Sequence, residues 1–368
     1  MDQRPIIQIA TVSNIYFDQR MIRIASTLQD FGYEINVFFR PYIKFGKQTA
    51  KEGEFNFKTN PINILPHQGV LFYLIYNFAL LLKLFKVKTD FYYAVDSDTL
   101  LALTILSKLK NKPLIYDAHE YFAEVPELNG KLLKKKIWHF ITQWGVNQSS
   151  LCITVSESLA KSLQKRYKKS FKVLRNLPHR NHIHNIEKED IPTVIYQGAL
   201  NKGRGLELLI KAMTRLKHMQ CWIIGEGDLS ETLRSLKYEL KSDNVKFWGV
   251  LSPDELKLLT PKCFVGFNLL DDESLSYHDS LSNKYFDYMH AGIPSISSFL
   301  PEYVSLNNAF NCGICIDNNE NIFIETIESW IKYPEKYTYF QNNAIIACQT
   351  LCWENESQNI GKWLKNIQ

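Results

Sequence analysis

Residues Tyr196–Ile210 read YQGALNKGRGLELLI. The apolar run Val194–Gly198 ends on a glycine, a polar loop carries Lys202, Gly203 and Arg204, and an amphipathic pattern opens at Gly205. A strand that delivers its carboxyl end to a glycine-bearing loop and then to a helix start is the repeating unit of a parallel α/β sheet. Backbone N–H groups at such a helix start, with cations beside them, suit an anion. The glycine spacing is not GxGxxG, and no GxxxxGK[ST] occurs, so neither a dinucleotide fingerprint nor a P-loop is present. Taken alone, the segment reads equally as a tight turn with solvated basic residues.

The same alternation extends in both directions. Ile6–Val12, Glu34–Phe39, Phe91–Val95, Leu114–Asp117, Leu151–Val155 and Phe171–Leu174 read as strands, with helical patterns such as Asp18–Phe31, Thr99–Lys110 and Glu157–Tyr167 between them. Val194–Gly198, Cys221–Gly225, Val245–Gly249, Phe264–Leu269 and Pro294–Ser297 repeat the theme with helices at Gly205–Leu216, Leu229–Leu240, Pro253–Thr260 and Asn283–His290. The polar stretch Asn176–Pro192 reads as an interdomain linker. The expected architecture is α/β: two Rossmann-like, doubly wound domains whose strand carboxyl ends face a central cleft. The expected bounds are 1–180, 181–350 and a C-terminal helix over 351–368 that packs back towards the first domain.

At 368 residues with 45% apolar content, the chain has material for two cores, and 16 Gly and 13 Pro exclude a collagen-like chain. Seven cysteines, an odd number, do not suggest a disulfide framework. Cys312, Cys315, Cys348 and Cys352 read as buried free thiols rather than a zinc site. The N-terminus lacks the basic start and apolar run of a signal peptide. Charge is divided: 26 Lys and Arg against 14 Asp and Glu through Asn185, net +12, and 17 against 24 after it, net −7. The first half therefore favours an anionic partner, and no aromatic-interleaved basic motif points to nucleic acid. Val70–Phe85, VLFYLIYNFALLLKLF, is too short to span a bilayer, which takes roughly 20 residues. It reads either as a buried helix of the first domain or as a helix lying on a membrane. For the second reading, Lys83, Lys86 and Lys88 sit at its end, and Lys131, Lys134, Lys135 and Lys136 open the aromatic helix KLLKKKIWHFITQWG. Each lysine singly reads as part of a solvated helix face.

Asp279–Pro294, DSLSNKYFDYMHAGIP, is the second informative stretch. Ser282 is placed to cap a helix, Asn283 and Lys284 would present N–H groups and a cation, Asp287 lies one turn in, and Gly292 with Pro294 ends the helix. A phosphate at the N-terminus with Asp287 on sugar hydroxyls is one reading; an ordinary capped helix is the other.

Together YQGALNKGRGLELLIKAM, WIIGEGDL, VKFWGVLSPDEL and SNKYFDYMHAGIPSI, preceded by YDAHEYFAEVPEL, SLCITVSESLAKSL and VLRNLP, resemble in order and spacing the nucleotide-sugar glycosyltransferases of family 4, which have the GT-B fold. The resemblance implies a retaining transfer of a sugar from a nucleoside-diphosphate donor to a hydroxyl. It places Arg204 and the helix start at Ser282, Asn283 and Lys284 on the donor diphosphate, with Gly198, Lys202, Gly203 and Gly205 in the same loop. Asp287 falls on the ribose, Asp279 on the transferred sugar, His119 near the sugar and attacking hydroxyl, and Gly225 and Gly227 beside the nucleotide. Both carboxylates are aspartates where the family has glutamates, and Ala199 stands where many members have Arg.

With Arg204, Lys284 and helix N-termini stabilising the leaving diphosphate, no cofactor and no metal is expected. Asp96-Ser97-Asp98 reads as the end of the fourth strand, lining the acceptor side with Glu120. The expected partners are a nucleoside-diphosphate sugar, a saccharide acceptor carried on lipid, and the inner face of the plasma membrane, in cell-surface polysaccharide or glycoconjugate synthesis. A nucleotide-sugar epimerase of the same fold, or an inactive GT-B binding partner, are the alternatives.

Overall fold

Runs rich in β-branched and aromatic residues become strands buried on both faces, because amphipathic helices cover each side of a parallel sheet. The computed structural model describes residues 4–41, 55–67, 69–125, 128, 130–180, 187–272 and 275–367; residues 181–186 of the expected linker lie outside them. The chain divides into two units, Met1–Asn176 with Glu356–Gln368, and Leu177–Asn355.

The first unit runs β1 (Ile6–Ala10), α1 (Gln19–Asp30), β2 (Glu34–Phe39), β3 (Lys58–Pro61), α2 (Val70–Phe85), β4 (Phe91–Val95), α3 (Asp96–Lys110), β5 (Leu114–Ala118), α4 (Leu132–Gln148), β6 (Leu151–Thr154), α5 (Glu157–Tyr167) and β7 (Lys172–Val173). Among the described residues its sheet is parallel in the order β3-β2-β1-β4-β5-β6-β7. The order reverses between β1 and β4, so a ligand crevice is expected at their carboxyl ends. Helix α1 starts where Asp18 accepts the Met21 N–H at 3.0 Å, and buries Met21, Ile24, Ala25 and Leu28.

Two sequence expectations change here, and one strand is added. The short edge strand β3 (KTNP), which carries no apolar signal, is not among the expected strands. Asp96-Ser97-Asp98 does not end β4; it forms the first turn of α3, entered through a left-handed Asp96 at φ 54°. Helix α2 is not a buried helix. It packs Phe72, Tyr76, Asn77, Leu80 and Leu84 inward while Val70, Leu71, Leu74, Phe78, Leu82 and Phe85 are exposed. Among the described residues no helix is long and apolar enough to cross a membrane.

The second unit runs β8 (Thr193–Gln197), α6 (Leu206–Met213), β9 (Gln220–Ile224), α7 (Ser230–Glu239), β10 (Val245–Gly249), α8 (Pro253–Leu259), β11 (Val265–Asn268), α9 (Leu275–His278), α10 (Asn283–His290), β12 (Ser295–Ser298), α11 (Pro301–Phe310), β13 (Gly313–Ile316), α12 (Glu320–Lys332), α13 (Pro334–Thr350) and α14 (Trp353–Glu356). Its parallel sheet has the order β10-β9-β8-β11-β12-β13 among the described residues. The order reverses between β8 and β11, and the loop quoted at the outset leaves the sheet at that point. Cys152, Cys221, Cys263, Cys312, Cys315, Cys348 and Cys352 are free thiols.

The last helix, α15 (Gln358–Lys365), belongs to the first unit. It buries Ile360 and Leu364, and Gly361 lets the Phe31 ring close on it: a Cβ there would sit 2.7 Å from the ring.

Candidate active site

In the second unit, β8 ends in Gln197, and the chain then needs glycines because two loops touch. Gly198 and Gly225 hold φ of 137° and 133°, and a Cβ on Gly225 would stand 1.9 Å from the Gly198 carbonyl oxygen. A Cβ on Gly227 would lie 2.5 Å from the Leu200 carbonyl oxygen. The glycines at 225 and 227 thus seat one loop on another. A Cβ on Gly203 would fall 2.6 Å from the Tyr277 ring, whose hydroxyl donates to the Lys202 carbonyl at 3.1 Å. The Asp271 N–H donates to the Gly203 carbonyl at 3.0 Å, tying the loop after β8 to the segment after β11. Lys202 and Gly198 are exposed, and Gly205 enters α6 in the left-handed region.

This packing gathers two cations. The Arg204 guanidinium lies over the Tyr277 ring at 5.0 Å, and its Nε has no hydrogen-bond partner among the described residues. The buried Lys284 ammonium lies 4.6 Å from the Tyr196 ring centre. Burial, and then the charge of Arg204, push the Lys284 pKa well below the ordinary lysine range, while Asp287 opposes them. Asp287 Oδ2 accepts from Gln197 Nε2 at 2.9 Å, and Gln197 Oε1 accepts from Thr260 Oγ1 at 2.9 Å. The structure therefore brings Arg204, Lys284 and Asp287 together at the carboxyl end of β8. Gln197 and Thr260 went unread in the sequence; the signal was a lone amide closing an otherwise apolar strand.

Ser282 stands at the N-cap of α10, but it does not cap the helix. Its hydroxyl donates to Asn268 Oδ1 at 2.8 Å and accepts from Tyr303 at 3.0 Å, and its N–H donates to the same tyrosine oxygen at 3.0 Å. The Ser282 side chain makes no bond to the α10 backbone, and Asn283 is exposed at its first position. Asp279 is buried on the segment between α9 and α10, its N–H donating to the Leu275 carbonyl.

The first unit holds a second cluster at the carboxyl ends of β4 and β5. Buried Asp117 accepts from Arg20 Nε and Nη2 at 3.2 and 2.8 Å and from the Tyr93 hydroxyl at 2.9 Å. Arg20 also donates to the Leu174 carbonyl at 2.7 Å. His119 Nε2 lies 3.0 Å from Asp117 Oδ2, its Nδ1 lies 3.7 Å from Asp96 Oδ2, and its backbone N–H donates to Asp96 Oδ1 at 2.8 Å. Burial would depress the imidazole pKa, but Asp117 and Asp96 outweigh it and raise it to about 9. Asp117 is held below the ordinary carboxylate range: its burial is overcome by Arg20 and His119. Asp98 is raised well above that range by burial and then by the charges of Asp96 and Glu120. Arg20, Tyr93 and Asp117 had been given no role in the sequence reading. Among the described residues no group of three or more His, Cys, Asp or Glu is arranged to hold a metal.

One lysine departs from its expected place. Lys135 pairs with Glu124 at 2.8 Å and is largely buried, so it does not face outward; Glu124 also meets His139 Nε2 at 3.0 Å. Lys83, Lys86, Lys131, Lys134 and Lys136 are exposed, Lys83 donating to the Pro61 carbonyl.

Comparison with known proteins agrees with this division. The family described as "Glycosyltransferase Family 4" matches residues 19–176, and that described as "Glycosyl transferases group 1" matches residues 179–346. A curated relative, the lipopolysaccharide core biosynthesis glycosyltransferase LpsD of Rhizobium meliloti (strain 1021), is 28% identical over 158 residues, which is 41% of this chain and 43% of that protein. Sucrose-phosphate synthase from Thermosynechococcus elongatus superposes with a TM-score of 0.80 at 14% identity, covering 99% of both chains. Anabaena Alr3699/HepE, solved with UDP and glucose, gives 0.78 at 16% identity, covering 99% of this chain and 100% of that one. One family match on each unit, over two parallel sheets of this strand order, makes the chain a GT-B glycosyltransferase of the family 4 kind.

Proposed function

We propose that the chain transfers a sugar, with retention, from a nucleoside-diphosphate donor to a saccharide hydroxyl borne on lipid at the inner face of the plasma membrane. The observation that carries the reading is the convergence of Arg204 and Lys284 beside Asp287 at the carboxyl end of β8. Breaking the anomeric C–O bond puts negative charge on the departing diphosphate, and two preorganised cations in a buried site meet it. They supply the charge a metal would otherwise bring. Asp287, fixed by Gln197, accepts from the ribose; Asp279 accepts from the transferred sugar. A diphosphate oxygen, leaving from the face that the hydroxyl attacks, takes the hydroxyl proton. His119 stands between two carboxylates as a cation, hydrogen-bonded to Asp117, and so holds positive charge rather than removing protons. The lipopolysaccharide relative, the UDP-bound neighbour, the net +12 of the first half and the exposed apolar face of α2 support the donor, acceptor and membrane parts of this reading.

The test is nucleotide release from a panel of nucleoside-diphosphate sugars, with and without lipid-linked saccharide acceptors. Release that requires an acceptor and yields an extended, anomer-retained product supports the proposal. Rearrangement of the donor without acceptor points to an epimerase, and no turnover with any donor points to an inactive binding protein.

A further inference from the structure

The first unit contains a cavity of about 410 Å³, within the range of small-ligand pockets. Its walls come from α2, α3 and α4, and among them are Leu74, Leu101, Ile137 and Trp138. The Trp138 ring meets Tyr73 at 5.0 Å and Phe122 at 4.8 Å, which fixes one wall. Leu74 and Ile137 are both wall and surface, 56% and 50% exposed, so the cavity opens onto the apolar face formed by Val70, Leu71 and Phe78. An exposed apolar tract of this extent on a soluble domain marks a binding surface.

The lining is not apolar throughout. Glu120, next to His119, lines it. Asn77, also in the wall, donates to the Asp98 carbonyl at 2.7 Å. Asp98 is nine-tenths buried, and its Oδ1 has no partner among the described residues. Lys134 also lines the cavity, and Lys131 and Lys136, close to it in the chain, are exposed. A ligand that satisfies this lining has a hydroxyl for Glu120, an aliphatic chain for the apolar walls, and an anionic linkage for Lys134.

We propose that this cavity holds the hydrocarbon segment nearest the sugar in a lipid-borne acceptor whose chain is joined through a phosphate. The proposal rests on the transferase reading for its acceptor but makes a separate claim about chain binding. The occupant enters from the bilayer across the exposed face of α2, the chain lies between α2 and α4, and the saccharide lies towards Glu120, next to His119. Each methylene taken from water is expected to raise affinity about fourfold until the cavity is filled.

The experiment needs no nucleotide sugar, so it stands or falls apart from the transfer assay. Alkyl phosphates of eight to twelve carbons, below their micellar concentrations, are titrated into the full chain, with methyl phosphate and inorganic phosphate as controls. A terminally brominated dodecyl phosphate should quench tryptophan fluorescence saturably, and Trp138→Phe should remove most of that quenching. Leu74→Glu and Ile137→Glu, at half-exposed sites that accept polar groups, should keep the melting temperature and weaken dodecyl phosphate binding about tenfold or more. Lys134→Glu should weaken dodecyl phosphate but not dodecanol. Affinity independent of chain length, quenching that survives Trp138→Phe, or vesicle binding without saturable uptake of the monomeric amphiphile would each overturn the proposal.

Discussion

Replacing His119 by Gln should remove a pH dependence that the structure assigns to one imidazole. In the folded chain that imidazole is 20% exposed, with Asp117 at 3.0 Å on one nitrogen and Asp96 at 3.7 Å on the other. Its pKa rises from 6.5 to about 9. A pKa raised by folding stabilises the folded chain fully below the unfolded value and loses that contribution as pH climbs through the folded value. The window is therefore pH 6.5 to about 9. At 1.36 kcal/mol per unit the contribution is at most about 3 kcal/mol. Asp117, depressed by the same contacts, stays ionised across the window and adds no slope. Urea unfolding of the wild type and of His119→Gln at pH 6, 7, 8 and 9 gives the difference directly, and the His119 Cε1–H resonance gives the midpoint. The wild-type advantage should be largest at pH 6 and nearly gone above pH 9, and transfer activity should not gain an acidic limb near pH 6.5. A difference independent of pH, or a midpoint near 6.5, would refute the claim that two carboxylates hold His119 as a cation.

Arg204→Ala should melt normally and lose transition-state stabilisation of about 3 kcal/mol or more, read as kcat/KM. Asp287→Asn should weaken the free nucleoside diphosphate and the donor alike, by about 1–2 kcal/mol, whereas Asp279→Asn should weaken the sugar-bearing donor more; calorimetry of both ligands on both variants separates the two. Reversal of Lys131, Lys134 and Lys136 to Glu should release the chain from anionic vesicles, at about 1 kcal/mol per lysine, while Lys135→Glu should instead cost stability through its break with Glu124.

What the sequence revealed follows from how far each interaction reaches along the chain. Strand and helix alternation depends on neighbours two to four residues apart, so the two parallel sheets were legible, down to the loop leaving β8. The edge strand Lys58–Pro61 was not, because edge strands bury little and carry no apolar pattern. Ser282 was read at the right position with the wrong partner: local spacing offers the α10 backbone, but Asn268 and Tyr303, brought in by other elements, claim the hydroxyl. Lys135 failed for the same reason, since the carboxylate that turns it inward lies eleven residues back in a separate turn. Periodicity also misjudges α2, where a run apolar all round suggests full burial but only one stripe finds a partner.

Arg20 shows the limit most clearly. Hydrophobic patterning counts an arginine as a solvent residue, yet this one is 3% exposed and shares its guanidinium between Asp117, 97 residues away, and the Leu174 carbonyl. An isolated buried charge of either sign would be expelled; the pair is retained because each neutralises the other, Arg20 Nη1 finds the Leu174 carbonyl and Asp117 also accepts from Tyr93 and His119. The energetics then set the direction of control. Removing Arg20 strands a carboxylate against His119 and Tyr93, at a cost of about 3–5 kcal/mol, whereas exchanging both members of a buried pair for apolar groups is often neutral. If the pair serves only the core, a double replacement of Arg20 and Asp117 leaves activity intact. Since Asp117 also holds His119 Nε2 and the Tyr93 hydroxyl, the double replacement should recover only part of the stability and none of the turnover, and that separation would mark Arg20 and Asp117 as positioning residues rather than core filler.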